Sequence, residues 1–100
     1  MDKSKKQTCS ITPREARELR SKLHHLKPVI IIGNNGLTPA VLQEIDVALT
    51  AHELIKIRAN LQDREQYADL TDKICSKSNA THIQTIGHII AIYRQNPLEN

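Results

Sequence analysis

Aromatic residues are almost missing from this sequence of 100 residues. It contains no phenylalanine or tryptophan, and its two aromatic side chains are Tyr67 and Tyr93. RNA recognition motifs and oligonucleotide-binding barrels hold bases on exposed aromatic rings. A chain with two such rings cannot bind nucleic acid in that way on any scale. Recognition of a nucleic acid would therefore have to use its backbone and its shape.

Metal-binding patterns, long apolar runs and targeting segments are also missing. Cys9 and Cys75 lie far apart, and neither they nor the dispersed His52, His82 and His88 show the spacing of a zinc site. No apolar run approaches the roughly 20 residues of a membrane helix, and the charged start resembles no secretory signal. We expect a cytoplasmic protein with reduced cysteines. It should bind no metal or other cofactor, no membrane and no small-molecule substrate.

Positive charge is concentrated near the N-terminus. Residues 1–27 carry eight Lys or Arg and three acidic residues, whereas the remainder carries six basic and eight acidic residues. A basic segment on a small domain indicates a polyanionic partner. A solvated tail and a solvated helix face explain the same charge equally well. We expect residues 1–11 to form a flexible basic leader, residues 12–94 the domain and residues 95–100 a tail.

Three helices are predicted from their start signals and their apolar spacing. Thr12 precedes Pro13 with Glu15 in position for a capping box, and Ala16, Leu19, Leu23 and Leu26 recur at helical spacing. Thr38 precedes Pro39 in the same way, which suits a helix start. Asp63 caps the third helix, which should run to about Ser78 with Asn79 as its stop.

The remaining apolar segments predict strands. All four residues of Val29–Ile32 are apolar, so both faces of the strand would carry apolar side chains. This indicates a central strand covered on both faces. Glu53–Arg58 alternates and predicts a half-exposed strand. Thr81–Ile86 and His88–Arg94 are separated only by Gly87, which permits a tight hairpin or one bent strand. The prediction is an α/β domain of order α-β-α-β-α-β-β, with three helices and a mixed four-stranded sheet.

The junction Gly33-Asn34-Asn35-Gly36 connects the first strand to the helix capped by Thr38. Glycines allow backbone to approach a ligand closely, and a helix N-terminus attracts an anion such as phosphate. A loop of the GXXG type clamps the nucleic-acid backbone in KH modules. The same residues are common in plain turns. A phosphate-ester enzyme using this loop would lack an acid–base pair, and no nucleophile with its base can be assembled from the chain.

The sequence resembles the chloroplast RNA splicing and ribosome maturation (CRM) domain family over about residues 12–94. Four blocks carry the resemblance in the family's order and spacing, and the nearest form is the stand-alone bacterial YhbY type. They are Leu26–Thr38, His52–Arg58, Gln84–Gly87 and Ile92–Arg94. Two positions depart from the family pattern, because many members carry a basic residue at His88 and some have a basic C-terminal tail.

The resemblance implies a fold similar to the C-terminal domain of bacterial initiation factor three. It also implies binding to structured ribosomal RNA on precursors of the large ribosomal subunit. We expect the protein to be a monomer. We expect phosphate at the loop and cationic residues around it; the candidate residues are Gly33, Asn34, Asn35, Gly36, Thr38, Lys22, Lys27, Lys56 and Arg58. The alternative function is a protein-interaction adaptor whose basic helix binds an acidic partner.

Overall fold

The structure is a computed structural model that describes residues 11–96. Most of the expected leader and the end of the expected tail lie outside the described residues. The chain order confirms the predicted α-β-α-β-α-β-β arrangement. The elements are α1 (Pro13–Lys22), a 3-10 turn (Leu23–His25), β1 (Pro28–Ile32), α2 (Pro39–His52), β2 (Leu54–Ala59), α3 (Arg64–Ser78), β3 (Thr81–Ile86) and β4 (Ile89–Tyr93).

Each helix begins at the residue that its start signal predicts. The Thr12 hydroxyl accepts a hydrogen bond from the Glu15 amide at 3.1 Å, and the Glu15 carboxylate accepts one from the Thr12 amide at 3.0 Å. Thr38 and Asp63 cap α2 and α3, and Asn79 ends α3 in the left-handed conformation. These bonds satisfy backbone groups that a helix end leaves without partners.

The sheet has the strand order β1-β2-β4-β3. β1 and β2 are parallel, whereas β4 runs antiparallel to both of its neighbours. Gly87, at φ 58°, lies in the tight turn between β3 and β4, so the last two apolar runs form a hairpin rather than one bent strand. β4 thereby separates β2 from β3, and α3 connects two strands that are not neighbours.

The position predicted for β1 is wrong. β1 is an edge strand, paired only with β2, and it is not covered on both faces. Ile30 and Ile32 are buried, but Val29 is 52% and Ile31 70% exposed. The alternating burial arises because one face of β1 packs against the main core, while no described residue covers the other face at this end of the sheet.

The main core lies between one face of the sheet and helices α2 and α3. Its buried side chains are nearly all aliphatic: Ile30, Ile32, Ile45, Leu49, Ile55, Ile57, Ala59, Ile74, Ala80, Ile90 and Ile92. Full burial of a side chain of the size of isoleucine contributes roughly 1.5–3 kcal/mol. This cluster is therefore the main source of stability.

Helix α1 packs on the opposite face of the sheet and covers only part of it. Leu19 and Leu23 contact Leu54, Ile83 and Ala91 in a second, smaller cluster. Leu54 stands at the start of β2 and Ala91 in the middle of β4, so this cluster lies toward one end of the sheet. Among residues 11–96, no helix covers this face at the end that leads to the Gly33–Gly36 loop.

Arg94 fastens the end of the sheet to α2 and α3. Its guanidinium donates to the Asp46 carboxylate at 2.8 Å, to the Ser78 carbonyl at 2.9 Å and to the Thr50 hydroxyl at 2.9 Å. These charge-assisted bonds join three elements at once and satisfy a carbonyl at the end of α3. The arginine of the fourth sequence block therefore has a structural role.

Candidate nucleic-acid interface

The Gly33–Gly36 loop forms a compact turn at the end of β1. The Gly36 amide donates to the Gly33 carbonyl at 3.0 Å, and the Thr38 amide donates to the Gly36 carbonyl at 3.0 Å. Asn34 and Asn35 occupy the tip and are exposed. Their side-chain amides are hydrogen-bond donors that an anion outside the protein can reach.

The backbone conformation favours glycine at only one of the two ends of the loop. Gly36 has φ 72°, in the left-handed region that disfavours other residues. Gly33 does not have such a backbone, and a Cβ built on it meets no atom within 4 Å. The fold therefore explains the glycine at position 36 but not the one at position 33. Close approach of an external ligand would explain Gly33.

The start of α2 adds less to an anion site than the sequence indicates. Pro39 has no amide hydrogen, and the Val41 amide already donates to the Thr38 hydroxyl at 3.1 Å. The Thr38 hydroxyl keeps its own proton as a donor. A phosphate at this junction would therefore be held chiefly by the loop, with the positive end of the helix behind it.

Two of the expected cations project from the open face of the sheet. Lys56 and Arg58 alternate with the buried Ile55 and Ile57 of β2, as the sequence predicts. Arg58 is exposed. The Lys56 ammonium is half-buried and donates to the Leu26 carbonyl at 2.9 Å. Lys56 therefore also fixes the segment before β1, and two of its three hydrogens remain for a ligand.

Lys22 and Lys27 lie at the other end of β1 from the loop. Both are exposed, and both line a shallow groove of about 370 Å³ together with His25 and His52. Gly33 follows Lys27 by six positions of extended chain, which corresponds to roughly 20 Å. The structure thus does not bring these lysines and the loop around one phosphate, and they would contact different phosphates of one polymer.

Residues beside the loop that were not predicted as part of the site form a second groove. This groove of about 510 Å³ runs from the loop to α3, and its rim includes Asn60, Gln66, Asp69 and Lys73. In the sequence Gln66 is recognisable only as a partner of the Asp63 cap. No sequence signal brings Lys73 to the loop, because its position depends on how α3 packs against the sheet.

Tyr67 holds the segment that follows β2 at this end of the sheet. Its hydroxyl donates to the Ala59 carbonyl at 2.7 Å and accepts from the Leu61 amide at 3.1 Å. The hydroxyl also lies 2.6 Å from Nδ1 of His88. With the phenolic proton directed to Ala59, Nδ1 donates to the phenol and Nε2 remains for other partners. His88 is exposed and stands at the same end of the sheet as the loop.

Fold and site together define a small α/β domain whose Gly33–Gly36 loop lies at the rim of a sheet face that bears Lys56 and Arg58. The chain belongs to the CRS1 / YhbY (CRM) domain family, whose model matches residues 11–94. The resemblance seen in the sequence is therefore confirmed. No helix within residues 11–96 is long and apolar enough to cross a membrane.

Relatives from bacteria support the assignment to this family. A protein of Pseudomonas aeruginosa, named as a probable RNA-binding protein, is 41% identical over 91 residues, covering 91% of this chain and 88% of its own. An RNA-binding protein of Haemophilus influenzae is 41% identical over 85 residues, covering 85% and 86%. A solution structure of a hypothetical Staphylococcus aureus protein, proposed to bind RNA, matches with a TM-score of 0.78 and 27% identity, covering 91% of this chain and 95% of its own.

Proposed function

We propose that this protein binds ribosomal RNA in precursors of the large ribosomal subunit and assists the assembly of that subunit. The observation that carries the proposal is the position of the Gly33–Gly36 loop at the rim of the face that bears Lys56 and Arg58. The family match and the relatives named as RNA-binding proteins support the RNA part of the proposal. The ribosomal part rests on the resemblance to the YhbY type.

Binding would use several phosphates along one RNA. One phosphate would lie on the loop, close to Gly33 and the Asn34 and Asn35 side chains. Arg58 and Lys56 would contact the RNA across the sheet, and Lys22 and Lys27 would contact it at the far end of β1. Electrostatic contacts of this kind give affinity that is largely independent of sequence and sensitive to salt.

We propose binding without catalysis. The groove beside the loop is lined by one carboxylate, Asp69, and by no histidine. Asp69 and Lys73 are its titratable side chains, so a phosphate-ester reaction in this groove would have neither a histidine nor a second carboxylate for acid–base catalysis. The loop is suited to hold a phosphate in place.

The salt dependence of RNA affinity tests this function. If phosphates are the main contact, the affinity for ribosomal RNA should fall with salt, with a log–log slope near −0.7 for each single-stranded phosphate neutralised. An adaptor that binds an acidic protein through the same helix would show little affinity for RNA at any salt concentration. A flat salt response with ribosomal RNA would contradict the proposal.

A charge change at the loop tests the proposed contact. Asn34→Asp with Asn35→Asp adds two negative charges at the tip and keeps side-chain size and turn preference. We expect RNA affinity to fall by about 1–3 kcal/mol while the melting temperature changes little. The matched control is Gln43→Glu with Gln95→Glu, which adds the same charge at two exposed positions away from the loop. Equal affinities of the two double variants would show that the loop is only a turn.

A further inference from the structure

One row of side chains crosses the whole sheet on its open face. Ile31 of β1 pairs with Arg58 of β2, Arg58 pairs with Ile89 of β4, and Ile89 pairs with Ile86 of β3. Paired residues of neighbouring strands point to the same face, so each strand contributes one side chain to this row. The row Ile31–Arg58–Ile89–Ile86 thus consists of three isoleucines around one arginine.

Two of the three isoleucines of this row are unusually accessible, and Ile89 between them is half-buried. Ile31 is 70% and Ile86 65% exposed, and the neighbouring Val29 is 52% exposed. Within residues 11–96, α1 covers the other end of this face through Leu54 and Ala91 and does not cover the row. Contiguous exposed aliphatic side chains on a small domain are characteristic of an interaction surface.

Charge and position identify the ligand of the row. Arg58 stands within it and Lys56 beside it, and no acidic residue projects from this part of the sheet. Ile31 precedes Gly33 by two residues, so a phosphate on the loop would lie roughly 7 Å from the start of the row. The row spans four strands, about 14 Å across. This combination suits the apolar faces of nucleosides joined to phosphates.

We infer that the row Ile31–Arg58–Ile89–Ile86 binds the bases and riboses of about two or three unpaired nucleotides adjacent to the phosphate on the loop. The inference rests on the proposed RNA-binding function and adds the class of RNA that this face accepts. The row thus adds base contacts to the backbone recognition expected from the sequence: isoleucines, in place of aromatic rings, contact the faces of the bases, and the planar Arg58 guanidinium stacks on one of them. Such contacts are tolerant of sequence because every base has an apolar face.

Other occupants fit the row less well. A second copy of the chain facing the row would bring two Arg58 side chains together in an apolar contact, which repels. A protein partner would have to place an acidic group among apolar side chains in order to pair with Arg58. It would also leave the neighbouring loop without a ligand. An RNA strand uses both the loop and the row.

The test compares single-stranded and double-stranded RNA. Ile31→Thr with Ile86→Thr keeps β-branched side chains and removes apolar contact at two exposed positions. The matched control is Val47→Thr, which alters an exposed aliphatic residue on α2, on the other side of the sheet. The probes are an oligouridylate of about eight nucleotides and an RNA duplex of about 16 base pairs.

We expect the double threonine variant to bind the oligouridylate roughly tenfold more weakly than the parent, with an unchanged salt slope. Its affinity for the duplex and its melting temperature should match those of the Val47→Thr control. In the parent protein, the methyl NMR signals of Ile31, Ile86 and Ile89 should shift on addition of oligouridylate, and those of Val47 should not.

The opposite results separate this inference from the proposed function. If the parent binds RNA with a steep salt dependence and the threonine variant binds oligouridylate equally well, the inference is wrong and the proposed function stands. If the parent binds neither probe nor ribosomal RNA, the proposed function fails. If the parent sediments as a dimer and the threonine variant as a monomer, the row is a contact between copies, and the inference is likewise overturned.

Discussion

The two sides of the sheet differ in both packing and charge. Helices α2 and α3, with the cap Asp63, cover most of one side, called here the closed side, and carry six acidic and three basic residues. The segments on the other side, residues 13–32 and 54–59, carry seven basic and two acidic residues, and α1 leaves half of the sheet open there. The closed side provides stability, and the open side carries the cations that the proposed RNA partner would contact.

Adjacent residues of β1 offer the sharpest contrast between the two sides. Ile30 is 4% exposed in the main core, and Ile31 is 70% exposed on the open face. Ile30→Ala should lower the free energy of unfolding by about 3 kcal/mol, because it removes buried methyl groups and leaves a cavity. Ile31→Ala should cost less than about 1 kcal/mol. Denaturant unfolding of both variants checks this, and equal losses would contradict the edge position of β1.

Two arginines extend the comparison from packing to hydrogen bonds. Arg94 is tied to Asp46, Thr50 and Ser78 on the closed side, and its side chain is 19% exposed. Arg94→Leu should destabilise the protein by about 2 kcal/mol, because a carbonyl and a carboxylate lose a charged donor. Arg58→Leu on the open face is the control, with a change of within about 0.5 kcal/mol. Similar melting temperatures of the two variants would show that the Arg94 contacts contribute little.

The two loop glycines give the smallest expected effect on stability and separate folding from function. Gly36→Ala places a Cβ at φ 72° and should cost about 1–2 kcal/mol. Gly33→Ala should leave stability within about 0.5 kcal/mol, since a Cβ there meets no atom within 4 Å. RNA affinity should nevertheless fall in Gly33→Ala, because the new methyl group would lie where the ligand approaches. If a stable Gly33→Ala variant bound RNA with unchanged affinity, the ligand would not approach the backbone closely at this residue.

Local sequence signals predicted most of the secondary structure because their physical causes are local. The caps at Thr12, Thr38 and Asp63 and the left-handed stop at Asn79 depend on residues a few positions apart. The order of the strands depends on which faces the helices cover. That information is not present in any short stretch of the sequence. For that reason the apolar run Val29–Ile32 predicted a covered central strand, although it forms an edge.

The candidate site was predictable in its parts but not in its arrangement. The Gly33–Gly36 loop follows from spacing, and the alternation of β2 correctly places Lys56 and Arg58 on one face. The distance between the loop and Lys27, and the approach of Lys73 to the loop, follow from tertiary packing. The row that joins Ile31 to Ile86 exists only after four strands have paired in register.

The central claim is that RNA binds the open side of the sheet. The most direct measurement compares the RNA affinity of Arg58→Glu with that of Lys77→Glu, an exposed lysine of α3 on the closed side. Both variants change the net charge equally, so any general electrostatic effect is the same in both. We predict that Arg58→Glu weakens binding at least about tenfold more than Lys77→Glu and reduces the salt slope. Equal affinities of the two folded variants would contradict an interface on the open side.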